Sequence, residues 1–280
     1  MNARRRWGWI VAAGLVLGWT PSVQAHLHTE TVEYAHGEIL LEGYLAYDGH
    51  LTERRPVVLV VHEWKGLGPY AMRRADQLAR LGYVAFAVDM YGKGVRAEDH
   101  EQAAALSGTY RKDRQLMRAR IQTALEWIKA HEKVDPTRIA AIGYCFGGTT
   151  VLELARSGAD VLGVVSFHGG LDTPNPKDAR QIKGRVLVLH GAGDSFVSQE
   201  QVQGFIKEMQ EAGVRYELVQ YPGAVHSFTV QEAGNDPSQG MAYNENADRQ
   251  SWEAMTAFLA ELFGETGSRH ASDGADVSIP

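Results

Sequence analysis

Cys145 is the only cysteine in 280 residues, and it stands in the segment Gly143-Tyr144-Cys145-Phe146-Gly147-Gly148. The apolar run Ile139–Ile142 precedes this segment, and Val151, Leu152 and Leu154 follow it at helical spacing. A nucleophile flanked by glycines between a strand and a helix has the form of a sharp, strained turn that presents one side chain. A thiolate at that point is stabilised by the helix dipole and the free amides of the first turn. Taken alone, the residue reads equally as a buried cysteine in a glycine-rich turn. Two later segments change that balance. Asp194 ends Gly191-Ala192-Gly193-Asp194 after the apolar run Val186–His190, and His226 ends Pro222-Gly223-Ala224-Val225-His226 after Tyr216–Tyr221. Each partner singly suits an ordinary turn. Together, on loops beyond strands, they suit a histidine that takes the thiol proton and an acid that fixes its tautomer. Glu63 directly follows the run Val57–Val61. A carboxylate there is costly unless paired, and burial raises its pKa towards that of a neutral-pH base.

The elements that must hold these residues are legible as alternating patterns. Apolar runs at Val57–Val61, Tyr83–Val88, Arg138–Ile142, Val161–Phe167, Val186–Leu189 and Tyr216–Tyr221 suit strands buried on both faces. Helical spacing lies between them at Tyr70–Leu81, Arg111–His131, Cys145–Arg156, Ser198–Ala212 and Met241–Phe263. Thr31–Tyr34 and Ile39–Tyr47 read as leading antiparallel strands. The expectation is an α/β fold with a mostly parallel central sheet and helices on both faces.

Composition narrows the function classes. One cysteine excludes an internal disulfide and a cysteine-rich metal cluster. Lys plus Arg is 28 against 34 for Asp plus Glu, so no basic excess supports nucleic-acid binding. Arg4, Arg5 and Arg6, the uncharged stretch Trp7–Trp19, Pro21 and Val23-Gln24-Ala25 form the pattern of a secretory signal peptide over residues 1–25. The stretch is short for a membrane span, which needs about 20 residues, so no stable membrane anchor is expected after cleavage. The expected location is exported, periplasmic or secreted. Residues 265–280 read as a disordered tail, leaving one domain over 26–264. A chain beginning at His26 with His28 third carries groups able to chelate copper or nickel, although an exposed polar terminus is the simpler reading.

The order Cys, Asp, His is that of the α/β-hydrolase fold. Four segments carry a closer resemblance: Val61-His62-Glu63-Trp64-Lys65-Gly66, the Cys145 elbow, His190–Asp194 and Tyr221–Phe228. Over about residues 30–264 the chain resembles the dienelactone hydrolase family, cysteine hydrolases that open enol-lactones. The resemblance implies a Cys145–His226–Asp194 triad, with Glu63 helping to generate the thiolate. The oxyanion hole is expected from the backbone amides of Phe146 and Trp64. In the family two arginines bind the substrate carboxylate. Here Lys93 and the nearby Arg96 stand at the first position and Val230 at the second. A lysine lacks the bidentate fork of arginine, so that clamp is weakened or moved. Lys93, Arg96, Tyr91 and Tyr144 are the expected substrate-binding side chains. His168 precedes Gly169-Gly170 at the same expected sheet edge and reads as a structural histidine.

The expected activity is hydrolysis of a small-molecule ester or lactone without cofactor or metal. The alternatives are a carboxylesterase or thioesterase of different range, and a non-catalytic binding protein on the same scaffold.

Overall fold

The computed structural model describes residues 26–264; the expected signal peptide at 1–25 and the expected tail at 265–280 lie outside the described residues. Eight strands form one sheet: β1 (Leu27–His36), β2 (Ile39–Asp48), β3 (Arg55–Val61), β4 (Val84–Val88), β5 (Val134–Tyr144), β6 (Gly163–Phe167), β7 (Arg185–Gly191) and β8 (Tyr216–Tyr221). Their spatial order is β1-β2-β4-β3-β5-β6-β7-β8. β1 and β2 form the antiparallel leading pair, and β2 meets β4 antiparallel. From β4 through β8 every pairing is parallel. This is the expected α/β-hydrolase architecture.

The apolar runs explain the layering. Val57 to Val61 are fully buried in β3, because both faces of a parallel sheet are covered. Burying each such side chain contributes roughly 1.5–3 kcal/mol. Helices α1 (Pro69–Arg80) and α6 (Glu245–Leu262) pack on one face through Ala75, Leu78, Met255 and Leu259. Helices α3 (Arg114–Lys129), α4 (Phe146–Arg156) and α5 (Gln199–Ala212) cover the other through Ile121, Leu125, Val151 and Phe205, with α2 (His100–Lys112) adding Tyr110.

Two helical expectations are corrected. The segment Arg111–His131 is not one helix; α2 ends and α3 begins around Asp113. The Asp113 amide donates to Thr109 O, closing α2, while its carboxylate accepts the Leu116 amide, capping α3. The last helix starts at Glu245 rather than Met241, because Asn244 caps it through the Ala247 amide. Met241 instead pairs as an isolated bridge with His226.

All eleven residues of α4 are buried, including Glu153 and Arg156. Buried charges are tolerated only when paired. Arg156 binds Glu153 at 3.0 Å and Glu208 of α5 at 2.8 Å, and Arg118 of α3 binds Glu153 at 2.7 Å. This ionic cluster fixes the helix beneath the Cys145 turn. Glu63, Cys145, His168, Asp194 and His226 all follow the carboxyl ends of parallel strands. That edge of an open α/β sheet is where ligands bind.

Candidate active site

Cys145 joins β5 to α4 with φ +53°, one of three non-glycine residues with positive φ among the described residues; the others are His168 and Ser227. All three stand at the same sheet edge. The left-handed value costs of order 1–3 kcal/mol and persists only where the surroundings enforce it. Here close packing enforces it. A Cβ on Gly143 would lie 2.1 Å from Gly147 O, and a Cβ on Gly147 would lie 2.3 Å from Val61 O. The turn is therefore pressed directly against the end of β3, which carries Glu63 and Trp64.

Cys145 Sγ lies 3.1 Å from His226 Nε2. His226 Nδ1 donates to Asp194 Oδ2 at 2.8 Å. The other carboxylate oxygen of Asp194 accepts the amides of Phe196 at 2.8 Å and Val197 at 3.3 Å, which fixes its plane. The histidine loop is held in turn by the segment after it. The His226 amide donates to Gly240 O, and the Ala242 amide donates to His226 O. The structure thus brings together the three residues that sequence order singled out.

Electrostatics favour the charged form of His226. Burial alone pushes the His226 pKa down, but the Cys145 charge and the hydrogen bond to Asp194 outweigh it and raise the value to about 10. Glu63 is half-buried, and its carboxylate has no hydrogen-bond or ion-pair partner among the described residues. Loss of water raises its pKa to about 7, against the opposing pull of His226 and with Glu232 adding to the rise. Glu63 is thus close enough to sense the His226 charge, without a hydrogen bond to the thiol. The amides of Phe146 and Trp64 donate to no other backbone group among the described residues. The first opens α4, and no side chain caps that end.

A cavity of about 300 Å³ opens on Cys145 and His226. Trp64, Phe196, Val197 and Met241 give it an apolar side. Arg111, Arg114, Asp172, Thr149 and Gln201 give it a polar side. Phe196 is 56% exposed and stands edge-on to the His226 ring at 5.3 Å between centroids. Arg114 is paired with Asp172 at 2.9 Å, while Arg111 is exposed and has no ion pair among the described residues.

None of the four expected substrate-binding side chains lines this cavity. Lys93 is exposed and bound to Glu33 of β1, with Glu42 of β2 3.9 Å away. Arg96 is exposed and packs beside Gly66. Tyr91 is buried behind Trp64, donating its hydroxyl to Trp64 O at 2.9 Å. Tyr144 is fully buried on the other face, stacked on Phe167. The polar residues that do reach the cavity from α2 and α3 escaped sequence reasoning. The signal that marks them is the Asp113 cap between Arg111 and Arg114.

Comparison with known proteins identifies the family. The model of the dienelactone hydrolase family matches residues 41–263. A dienelactone hydrolase-like promiscuous phosphotriesterase from metagenomic libraries is 38% identical, with a TM-score of 0.82 over 85% of this chain and 100% of its own. A solved protein called m3DLH is 39% identical, with a TM-score of 0.81 over 85% of this chain and 99% of its own. A protein of Aquifex aeolicus (strain VF5), provisionally named a carboxymethylenebutenolidase, is 28% identical over 82% of this chain and 97% of its own. With the family model matching the greater part of its length, the chain belongs to the dienelactone hydrolase family.

Proposed function

We propose that this hydrolase cleaves a small carboxylic ester or lactone through an acyl-enzyme on Cys145, and that it acts after export. The observation that carries the reading is the relay from Cys145 Sγ to His226 at 3.1 Å and from His226 to Asp194 at 2.8 Å, opening on the cavity. The thiolate attacks the carbonyl carbon, and the carbonyl electron pair moves onto oxygen. The amides of Phe146 and Trp64 hold that oxyanion, each worth about 2.7–4 kcal/mol in a transition state. Collapse breaks the C–O bond, and the leaving alkoxide takes a proton from His226. With a lactone the new hydroxyl stays on the acyl chain. Water then gives a proton to His226 as its oxygen attacks the thioester, and the acid leaves with the thiolate restored. Glu63, with its pKa raised to about 7 and no hydrogen-bond or ion-pair partner for its carboxylate among the described residues, is suited to accept or return a proton beside this pair.

The volume of about 300 Å³ suits a small substrate. Export rests on Arg4–Arg6, the apolar stretch Trp7–Trp19 and the Val23-Gln24-Ala25 pattern. N-terminal sequencing of the protein from its native cell tests it, and His26 is the expected first residue. The hydrolytic reading is tested by steady-state rates on a dienelactone, neutral lactones, aryl esters, thioesters and an aryl phosphotriester. Wild type and Cys145→Ala are run side by side. Loss of ester or lactone turnover in Cys145→Ala is expected; equal rates for both chains on every substrate contradict it.

A further inference from the structure

His168 follows β6, is fully buried, and holds φ +39°. It does not line the cavity. Its ring nevertheless touches both halves of the reacting pair. The Cys145 amide donates to His168 Nδ1 at 3.1 Å as well as to Phe167 O at 3.0 Å. An Nδ1 that accepts leaves the ring proton on Nε2, and that nitrogen donates to Thr229 Oγ1 at 2.8 Å. Thr229 lies three residues beyond His226, on the same loop. Its hydroxyl also meets Tyr70 Oη at 2.6 Å, and Tyr70 accepts Arg74 Nε at 3.3 Å. Arg74 is anchored on Asp248 of α6 at 2.5 Å. The His168 ring also stands edge-on to the His226 ring, 5.3 Å between centroids.

We infer that His168 is a positioning residue: it spans the gap between the Cys145 turn and the His226 loop and sets the separation of Sγ and Nε2. Two strained residues, Cys145 and Ser227, both line the cavity at that gap. Neither backbone has a direct hydrogen bond to the other among the described residues. Among the described residues, the side chain from outside both loops that hydrogen-bonds to each is the His168 imidazole, neutral and in a single tautomer. Burial and the neighbouring His226 charge keep its pKa well below the ordinary value, so the tautomer is not disturbed by protonation near neutral pH. His62 is also a buried histidine, but its Nε2 accepts the Met90 amide at 3.3 Å and so ties down the loop after β4. Its bonds do not reach the His226 loop.

This inference rests on the Cys145 reading, and the test separates the two. The full chain is compared with Thr229→Val, Thr229→Ser and His168→Asn. The readouts are kcat and KM on an aryl ester, and the rate of alkylation by iodoacetamide at neutral pH. With one cysteine in the chain, alkylation reports on Cys145 alone. In Thr229→Val, kcat is expected to fall about 10–100-fold, since a misplacement near 1 Å can cost about 10²-fold. KM stays within about twofold, because neither residue reaches the cavity. Alkylation slows in parallel, His168→Asn behaves like Thr229→Val, and Thr229→Ser restores both rates because it keeps the hydroxyl. Circular dichroism shows whether each variant is folded. A folded Thr229→Val with wild-type kcat and alkylation overturns the inference, as does a change confined to KM. Should Cys145→Ala keep its ester hydrolysis, the underlying reading fails instead.

Discussion

Gly147 meets Val61 so closely that a Cβ on the glycine would sit 2.3 Å from the valine carbonyl oxygen. That contact seats the Cys145 turn on the end of β3. It sets the amide of Phe146 and the loop of Glu63 and Trp64 at the same edge. Gly147→Ala must push backbone away from backbone, at a cost of about 1–3 kcal/mol or more. The expected outcome is a Tm lowered by several degrees and a larger fall in kcat than in stability. Thermal melts and ester hydrolysis on one preparation check this.

Asp194 holds His226 with one oxygen and two backbone amides with the other. Asp194→Asn keeps the shape but offers the ring an amide where it needs an acceptor. By the logic of the serine-protease triad, kcat falls about 10³–10⁴-fold with little change in fold. The charged state of His226 also loses support. Its NMR titration, expected at about 10 in the wild type, moves down towards the ordinary histidine value. A raised histidine pKa stabilises the fold most fully below 6.5, and this contribution is lost as pH rises through about 10. Asp194→Asn should therefore flatten the decline in stability across that window.

Glu63 shows the same sign of linkage in a lower pH window. Its pKa rises from 4.5 to about 7 on folding, so the folded chain binds this proton more tightly than the unfolded chain. Stability associated with Glu63 is full below 4.5 and declines as pH rises through about 7. Glu63→Gln removes that decline, so the variant gains Tm over wild type at pH 8 but not at pH 4. A gain of a few degrees is expected, at roughly 2–4 °C per kcal/mol for a chain of this size. Activity moves the other way: kcat falls about 10²-fold if the carboxyl carries a proton during turnover. Melts and rates at the two pH values check both signs.

Lys93 lies outside the cavity and is held by Glu33, whereas Arg111 lines the cavity with no ion pair among the described residues. Lys93→Ala is expected to leave kcat/KM within about twofold on every ester, as exposed pairs contribute about 0–1 kcal/mol. Arg111→Ala is expected to raise KM for esters that carry a carboxylate and to leave neutral esters unchanged. A kinetic panel of matched charged and neutral esters checks this.

The elbow was legible in the sequence because its glycines answer local demands: Gly143 and Gly147 have backbone where a Cβ would go. Asp194 and His226 were legible because each ends a strand pattern, and strand order then fixes which edge they share. The cavity wall was not legible. Helix α2 buries only Ala103, Ser107 and Tyr110, a weak apolar signal, and Arg111 was read as the start of the following helix rather than as part of the last turn of α2. Lys93 was assigned by resemblance, because it stands where the family has an arginine in the loop after β4. Its partner Glu33 is sixty residues earlier, on a strand brought alongside by the hairpin of β1 and β2. The role of His168 depended on Thr229, sixty-one residues later, which no local pattern connects to it.

The central claim is that Cys145 carries the acyl group. Rapid quenching of the full chain with an aryl ester, followed by intact mass measurement, tests it most directly. The account predicts a transient mass increase equal to one acyl group, mapped by peptide analysis to Cys145, and no increase in Cys145→Ala, which also fails to turn over. An acyl adduct on another residue, or full turnover by Cys145→Ala, contradicts it.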